Sequence, residues 1–222
     1  MTFVDVVADN PGGWADRDLD DLVALLQECF PDHPHVAAEL RANAARPPMH
    51  SDRLVHQIVA IQHENPLGFI VIHANTARHI GLIHFLGIKK QARGTRINGT
   101  SLARNLVAAG VQAVYDDGVR LGLPLRYGVV AESEPEWMPV WEHWGFAPLP
   151  VDYAEPYHGM HWPKYGQPSF FEMTLMRQGN PAYEVSVEDA TIAAVMAFSV
   201  DHYLLPVDHP RVAPMLRRSR EA

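Results

Sequence analysis

The sequence predicts an α/β protein of the α+β type, in which an antiparallel meander is flanked by helices and followed by a helical extension. Three observations predict it. Apolar runs rich in β-branched residues follow one another at 54–62, 67–73 and 79–88, separated only by HENP and ANTAR. Helical periodicity then takes over, with Leu102, Leu106, Ala109, Gly110, Ala113 and Val114 on one stripe. A further amphipathic stretch, Ile192, Val195, Met196, Val200, Tyr203 and Leu204, stands apart behind a capping Ser186.

The remaining elements fall between these anchors. Residues 2–7 alternate apolar and polar side chains and read as a strand. The run DLDDLVALLQECF puts Leu22, Leu25, Leu26, Cys29 and Phe30 on one helical face, and Pro31 and Pro34 stop it. HVAAELRANAA predicts a second helix over 35–45, closed by Pro47 and Pro48. Asp117 and Gly118 are expected to end the long helix, and LRYGVVA, 125–131, to form the next strand. PEWMPVWEHWGF reads as a short helix ending at Gly145. Residues 147–169, rich in Pro, Tyr, His and Gly, suit a strand with a long irregular loop, and 170–176 read as the closing strand. Pro206 ends the last helix, whose apolar stripe suits a packing or homodimer element better than a lid over substrate. No internal repeat and no low-complexity tract is present.

Composition bounds the class. A chain of 222 residues with 47% apolar and 20% charged residues suits one packed domain with a short appendage. No stretch approaches the roughly 18 apolar residues of a membrane helix, and MTFVDVVADNPGG has neither a basic nor an apolar leader region, so a cytoplasmic location without membrane partners is expected. The single cysteine, Cys29, excludes an internal disulfide framework or zinc knuckle and reads as a small core residue. A net charge of −8 argues against nucleic acid as the main partner and is compatible with a cationic acceptor such as an amine.

The chemistry concentrates in GLIHFLGIKKQARGTRINGTSLARNL, where an apolar strand delivers a Gly-containing loop onto a helix N-terminus. Unpaired backbone N–H groups and the helix dipole favour a bound phosphate there, and Lys89, Lys90, Arg93 and Arg96 crowd the same turn. The loop lacks the Gly-Lys-Ser/Thr of a Walker motif and the GxGxxG of a dinucleotide fold.

In its order of elements, this chain resembles the GNAT acetyltransferase superfamily over residues 2 to 178. The resemblance implies a mixed, mostly antiparallel central sheet over 1–178, with 179–222 as a C-terminal helical extension. The family's Q/R-x-x-G-x-G/A sequence binds the pyrophosphate of acyl-CoA, and Gln91, Ala92, Arg93 and Gly94 match it, with Thr95 following and Arg96 where Gly or Ala is usual. Asn98 and Gly99 compete for the next glycine position ahead of Thr100, so the cofactor-binding set extends over all of these residues. The amides of Leu86 and Ile88 are the ones implied to grip the pantetheine arm.

Within LRYGVVAESEPEWMPVWEHWGF, Pro135 and Trp141 occupy positions where the family tends to show Asn and Tyr. An indole N–H is not a usable acid near neutral pH, which leaves Tyr153, Tyr157 and Tyr165 of the following loop as available hydroxyls. Two residues are the candidate bases. His84 shares a strand face with Ile80 and Leu82 if no bulge intervenes, and Glu132 lies near the end of the strand after the long helix; Glu142 and His143 are weaker candidates. The chain has 13 histidines, but the pairs His158 with His161 and His33 with His35 show no third ligand, so no metal is expected. PDHPH and residues 152–168 fall where relatives commonly bind acceptors. The resemblance therefore implies acyl transfer, most simply acetyl transfer, from acetyl-CoA or another acyl-CoA to a small-molecule or protein amine. Its rival is a non-catalytic acyl-CoA-binding module, suggested by the missing Tyr and Asn.

Overall fold

The computed structural model describes residues 1–7, 16–33, 36–45, 53–157 and 169–218. The chain divides into two compact units, Met1–Ala74 with Ile83–Arg120, and Asn75–Leu82 with Leu121–Ala222.

The first unit begins with β1 (Thr2–Asp5), α1 (Asp16–Cys29) and α2 (Val36–Ala45), followed by β2 (Arg53–Gln62) and β3 (Asn65–Asn75). It also holds most of β4 (Ile80–Ile88), then a hairpin of β5 (Arg96–Ile97) and β6 (Thr100–Ser101), and α3 (Leu102–Arg120). The strands lie in the order β1-β2-β3-β4, with Thr2 opposite Ile61 and Asp5 opposite Ile58 in the antiparallel β1–β2 pair. One face is covered by the apolar stripes of α1 and α2, whose Leu22, Leu25, Leu26 and Leu40 pack on Val59, Phe69 and Val71. Facing residues of β3 turn the other way: a methyl group at Gly110 of α3 would stand 3.1 Å from Ile70 and 3.2 Å from Ile72, so the glycine sets how closely helix and strand approach. The helix runs on through Asp117 and Gly118 to Arg120, two residues past the predicted stop. Gly118 is buried inside it.

The second unit takes the opening of β4 and adds β7 (Val129–Ser133), α4 (Met138–His143), β8 (Ala147–Pro148), β9 (Tyr153–Tyr157) and β10 (Ser169–Gln178). Tyr127 N–H donates to His79 O (3.0 Å) and Gly81 N–H to Gly128 O (2.9 Å), so β4 and the chain entering β7 advance together as parallel neighbours. The order continues through β7 to β10, antiparallel with Leu175 opposite Glu132, and β10 pairs with both β8 and β9. The strand predicted over 125–131 starts later, at Val129, because Gly128 adopts a left-handed φ of 81° at its entrance. Gly145, also left-handed at φ 88°, ends α4 as its sequence position predicts.

The C-terminal residues form α5 (Val187–Val195), a π-helical turn over Met196–His202, and α6 (Val212–Arg218). The Ser186 side chain accepts from Asp189 N–H and caps α5. Ala194 and Phe198 are fully buried against Ile80, Leu82, Val130 and Leu175, so these helices share one core with the strands of the second unit. Of the predicted stripe, Val195 is buried in this core, but Ile192 and Met196 are only half-buried, and the helix buries Ala193, Ala194, Ala197 and Phe198 instead. Beyond Val195 the helix widens; Val200 and Tyr203 still pack against the core, Leu204 takes a left-handed φ of 56° and is exposed, and the Tyr203 hydroxyl makes polar contacts.

Candidate functional site

The loop after β4 lies wholly in the first unit. From Glu64 to Asp116 the sequence between them contains no acidic residue, yet Lys89, Lys90, Arg93, Arg96 and Arg104 all fall in this stretch of an otherwise acidic chain. Lys90, Arg93, Arg96 and Arg104 are exposed, so four cations stand at the surface on a segment that carries no carboxylate of its own. Part of the expected backbone cradle is already engaged within the loop. Ala92 N–H donates to Lys89 O (2.8 Å), Thr95 N–H to Ala92 O (2.9 Å) and Leu102 N–H to Thr95 O (3.0 Å).

The ambiguity over the second glycine resolves as a hairpin. Asn98 (φ 49°) and Gly99 (φ 82°) are both left-handed, the pattern of a type I′ turn, and they join Arg96–Ile97 to Thr100–Ser101. The Arg96 guanidinium folds back to donate to Gly99 O (2.9 Å). Asn98 and Gly99 are therefore turn residues, while Gly94 is the open position: it is exposed, and a Cβ there would meet nothing within 4 Å. Ser101 Oγ accepts from Arg104 N–H (3.3 Å) and caps the long helix beside this loop. The cation-rich, sterically open loop fits a phosphate-bearing ligand, through side-chain charge more than through free amides. Leu86 and Ile88 lie half-buried at the end of β4 immediately before it.

His84 is also placed on β4, in the first unit. Its ring lies against that of His73 in a tilted contact, with centroids 4.2 Å apart and planes at 48°. His33, from PDHPH, sits in an aromatic group with Phe30 and Phe85, where burial lowers its pKa. Pro34 and His35 of that segment, and His158, His161 and Tyr165, lie outside the described residues.

Glu132 is in the second unit and has the more elaborate surroundings. The Tyr153 hydroxyl donates to Glu132 Oε1 through a very short contact, and the Tyr203 hydroxyl reaches Glu132 Oε2 at 2.8 Å and Glu155 Oε1 at 3.1 Å. Burial pushes the Glu132 carboxyl well above its usual range; the charge of Glu155 adds to this, and the two tyrosine hydroxyls oppose it. Burial likewise raises Glu155, whose own hydrogen bond from Tyr203 works the other way. Glu132 is thus a buried, hydrogen-bonded carboxyl near the end of its strand.

Trp141 fills core space: it is buried, edge-on to Trp144 (5.4 Å) and Phe146 (4.9 Å), and its carbonyl accepts from Phe146 N–H (3.0 Å). Two polar partners in the site escaped the sequence reading. Tyr203 was legible only as one member of an apolar stripe, and Glu155 only as part of an irregular loop. The available signal was the phenol itself, since a buried tyrosine hydroxyl requires a polar partner.

The fold matches many solved structures. A GNAT-family protein from Bacteroides thetaiotaomicron aligns with a TM-score of 0.58 at 16% identity, over 93% of this chain and 100% of that one. Tetrahymena GCN5 aligns with a TM-score of 0.52 at 11% identity, over 82% of this chain and 98% of that one. An aminoglycoside 6'-N-acetyltransferase complexed with coenzyme A aligns with a TM-score of 0.51 at 14% identity, over 81% and 97%. No protein-family model and no curated protein matches the sequence. The likeness is one of architecture, and by it this chain has the fold of the GNAT acetyltransferases.

Proposed function

We propose that this protein is an acyl-CoA-dependent N-acyltransferase that moves an acyl group, most simply acetyl, to a primary amine of a small molecule or protein in a ternary complex. The observation that carries the reading is the acid-free basic loop leading onto the capped N-terminus of α3, in a chain with this fold. Acyl-CoA, when bound, supplies the thioester electrophile.

The chain's own residues have separable tasks. Lys89, Lys90, Arg93 and Arg96 neutralise phosphate charge, with the loop Gln91–Ala92–Arg93–Gly94–Thr95 and the hairpin Arg96 to Thr100 shaping the anion site. The amides of Leu86 and Ile88 are assigned the extended arm of the cofactor. Glu132 takes the proton from the ammonium acceptor, and its two tyrosine hydroxyls hold the carboxyl in one orientation. His84, in ring contact with His73, is the second candidate for that role. Much of the acceleration is then orientation of amine and thioester.

Gly94 provides the test of the binding half. Gly94→Trp should leave the unliganded protein's stability within about 0.5 kcal/mol, because the site is exposed, open and not left-handed. The rise in melting temperature on adding CoA should be lost in the same variant. Equal CoA-induced stabilisation of wild type and variant would sink the assignment of this loop. Catalysis is read separately, as thiol released from acetyl-CoA over a panel of amines. The buried Trp141 favours a second reading, a non-catalytic acyl-CoA-binding module, which predicts the thermal shift without thiol release.

A further inference from the structure

The contacts of Tyr203 impose a proton count. A phenol has one O–H, so it donates one hydrogen bond, whereas an ionised carboxylate only accepts. Yet the Tyr203 hydroxyl lies within hydrogen-bond distance of two carboxyl oxygens, Glu132 Oε2 at 2.8 Å and Glu155 Oε1 at 3.1 Å. With both carboxyls ionised, a single proton would be split between two anions or one of these contacts would set lone pair against lone pair. Both become full two-centre hydrogen bonds, instead of one proton split between two anions, only if one carboxyl is protonated and donates to the phenol oxygen while the phenol donates to the other. Tyr153, on β9, donates to the remaining oxygen of Glu132 and supplies no further proton to Glu155.

We infer that Tyr203 is a positioning residue that binds Glu132 and Glu155 into one pair holding a single proton between them. The inference rests on the acyl-transfer reading in assigning Glu132 as base, and it gives the C-terminal segment a part in that chemistry. When Glu132 takes a proton from an ammonium, the N–H bond breaks with its electron pair left on nitrogen and an O–H bond forms on the carboxyl. The pair then holds two protons and returns one to water before the next turnover.

Other groups face the pair from the elements packed around it. Glu134, just beyond β7, places negative charge near Glu155; the Ser199 hydroxyl on the π-helical turn lies on the side of Tyr153; and the His202 ring lies edge-on to Tyr203 at 4.7 Å. The same turn is fixed by Asp201, which accepts from Arg78 Nε (2.9 Å), Arg78 Nη2 (3.2 Å) and Asn75 Nδ2 (2.9 Å). Tyr203 is thus anchored from its own side as well as by the carboxyls. Burial and the neighbouring Glu155 charge both favour the protonated form of Glu132, in the same sense as the count.

The test uses the full chain and two variants, Tyr203→Phe and Glu155→Gln. Infrared difference spectra across pH should show a protonated-carboxyl band in the wild type near neutral pH that Glu155→Gln removes. In kcat/KM against pH, Tyr203→Phe should move the acid limb upward by about one pH unit, since Glu132 loses a donor that favours its ionised form. Glu155→Gln, a neutral mimic of the protonated partner, should keep that limb close to the wild type. No protonated-carboxyl band in the wild type near neutral pH overturns the inference, as does a Tyr203→Phe variant whose acid limb does not move. If no amine supports acyl transfer, the proposed function fails on its own, and the infrared arm still decides the shared proton.

Discussion

Replacing Gly128 with alanine is expected to destabilise the protein by on the order of 3–5 kcal/mol, at the upper end of what single substitutions do. Two independent costs combine. Gly128 has a φ of 81°, a conformation that a side chain with Cβ adopts only with strain. Independently, the new methyl would stand 2.0 Å from the carbonyl oxygen of Gln178, 2.9 Å from Asn180 N and 2.9 Å from Gly179 Cα, all backbone atoms that no rotamer change can move. Those atoms are themselves fixed. Gln178 lies opposite Val129 in the antiparallel ladder, Asn180 Nδ2 donates to Leu125 O (3.2 Å), and Arg177 Nε donates to Tyr127 O (2.7 Å). Relief would require prying the end of β10 away from the entrance of β7, beside the bond from Gly81 N–H to Gly128 O. Urea titration should show the loss as a lower midpoint. Gly94→Ala is the control, with open space around it and a stability within about 0.5 kcal/mol of wild type. Equal effects of the two alanines would refute the steric argument.

The same glycine shows where sequence reasoning stopped. LRYGVVA is apolar enough to read as one strand, and nothing local distinguishes a glycine inside a strand from one that turns the chain into it. The distinction comes from Gln178, fifty residues on. By contrast, β2, β3 and β4 were legible because their apolar runs, turn residues and lengths all agreed, and α3 because its stripe matched the face buried on β3. At the basic loop two local signals competed. Asn98-Gly99 is a strong hairpin dipeptide, and in the structure it makes the β5–β6 turn in place of the second glycine of a phosphate loop. Glu132 was legible as a candidate from its place near the end of a strand. Its bonding partners were not: Tyr153 stands 21 residues away and Tyr203 71 residues away, brought to one carboxyl only by the packing of β9 and the C-terminal helices. Periodicity identifies which face of a helix is buried, but not which polar atom meets which.

His56 carries the other large expected effect, and no local pattern points to it, since its two partners are 51 and 61 residues away. Its ring sits between carboxylates, Nδ1 2.6 Å from Asp5 Oδ2 and Nε2 3.0 Å from Asp117 Oδ2. A neutral imidazole has one N–H and could serve only one of them, so the arrangement calls for the imidazolium. Burial alone pushes the His56 pKa down, but the hydrogen bonds to Asp117 and Asp5, with their charges, outweigh it and hold it up at about 9. Side-chain exposures of 8% for His56, 12% for Asp5 and 14% for Asp117 mean that solvent screens the group weakly. A rise from 6.5 to about 9 corresponds to roughly 3 kcal/mol of proton-linked stability.

The sign follows from which state holds the proton more tightly. The folded protein does, so this contribution is complete below the unfolded value of 6.5 and is lost as pH rises through about 9. Asp5 and Asp117 work at the acid end: despite burial, which raises them, their bonds to His56 hold both below 3.8, so their contribution is present above that value and is lost as pH falls below it. His56→Leu removes the cation and leaves two carboxylates facing each other, with Asp5 Oδ1 still accepting from Val7 N–H (3.1 Å) and Gln57 N–H (3.2 Å). It should cost about 3–5 kcal/mol near pH 6, the range for breaking a buried pair by removing one partner. Urea unfolding of wild type and variant at a series of pH values measures the gap directly. The gap should narrow as pH passes from below 6.5 to above 9, because the wild type loses the proton that the variant never held. A gap that stays constant across that interval would mean that His56 acts by packing alone and that its charge contributes nothing to the fold.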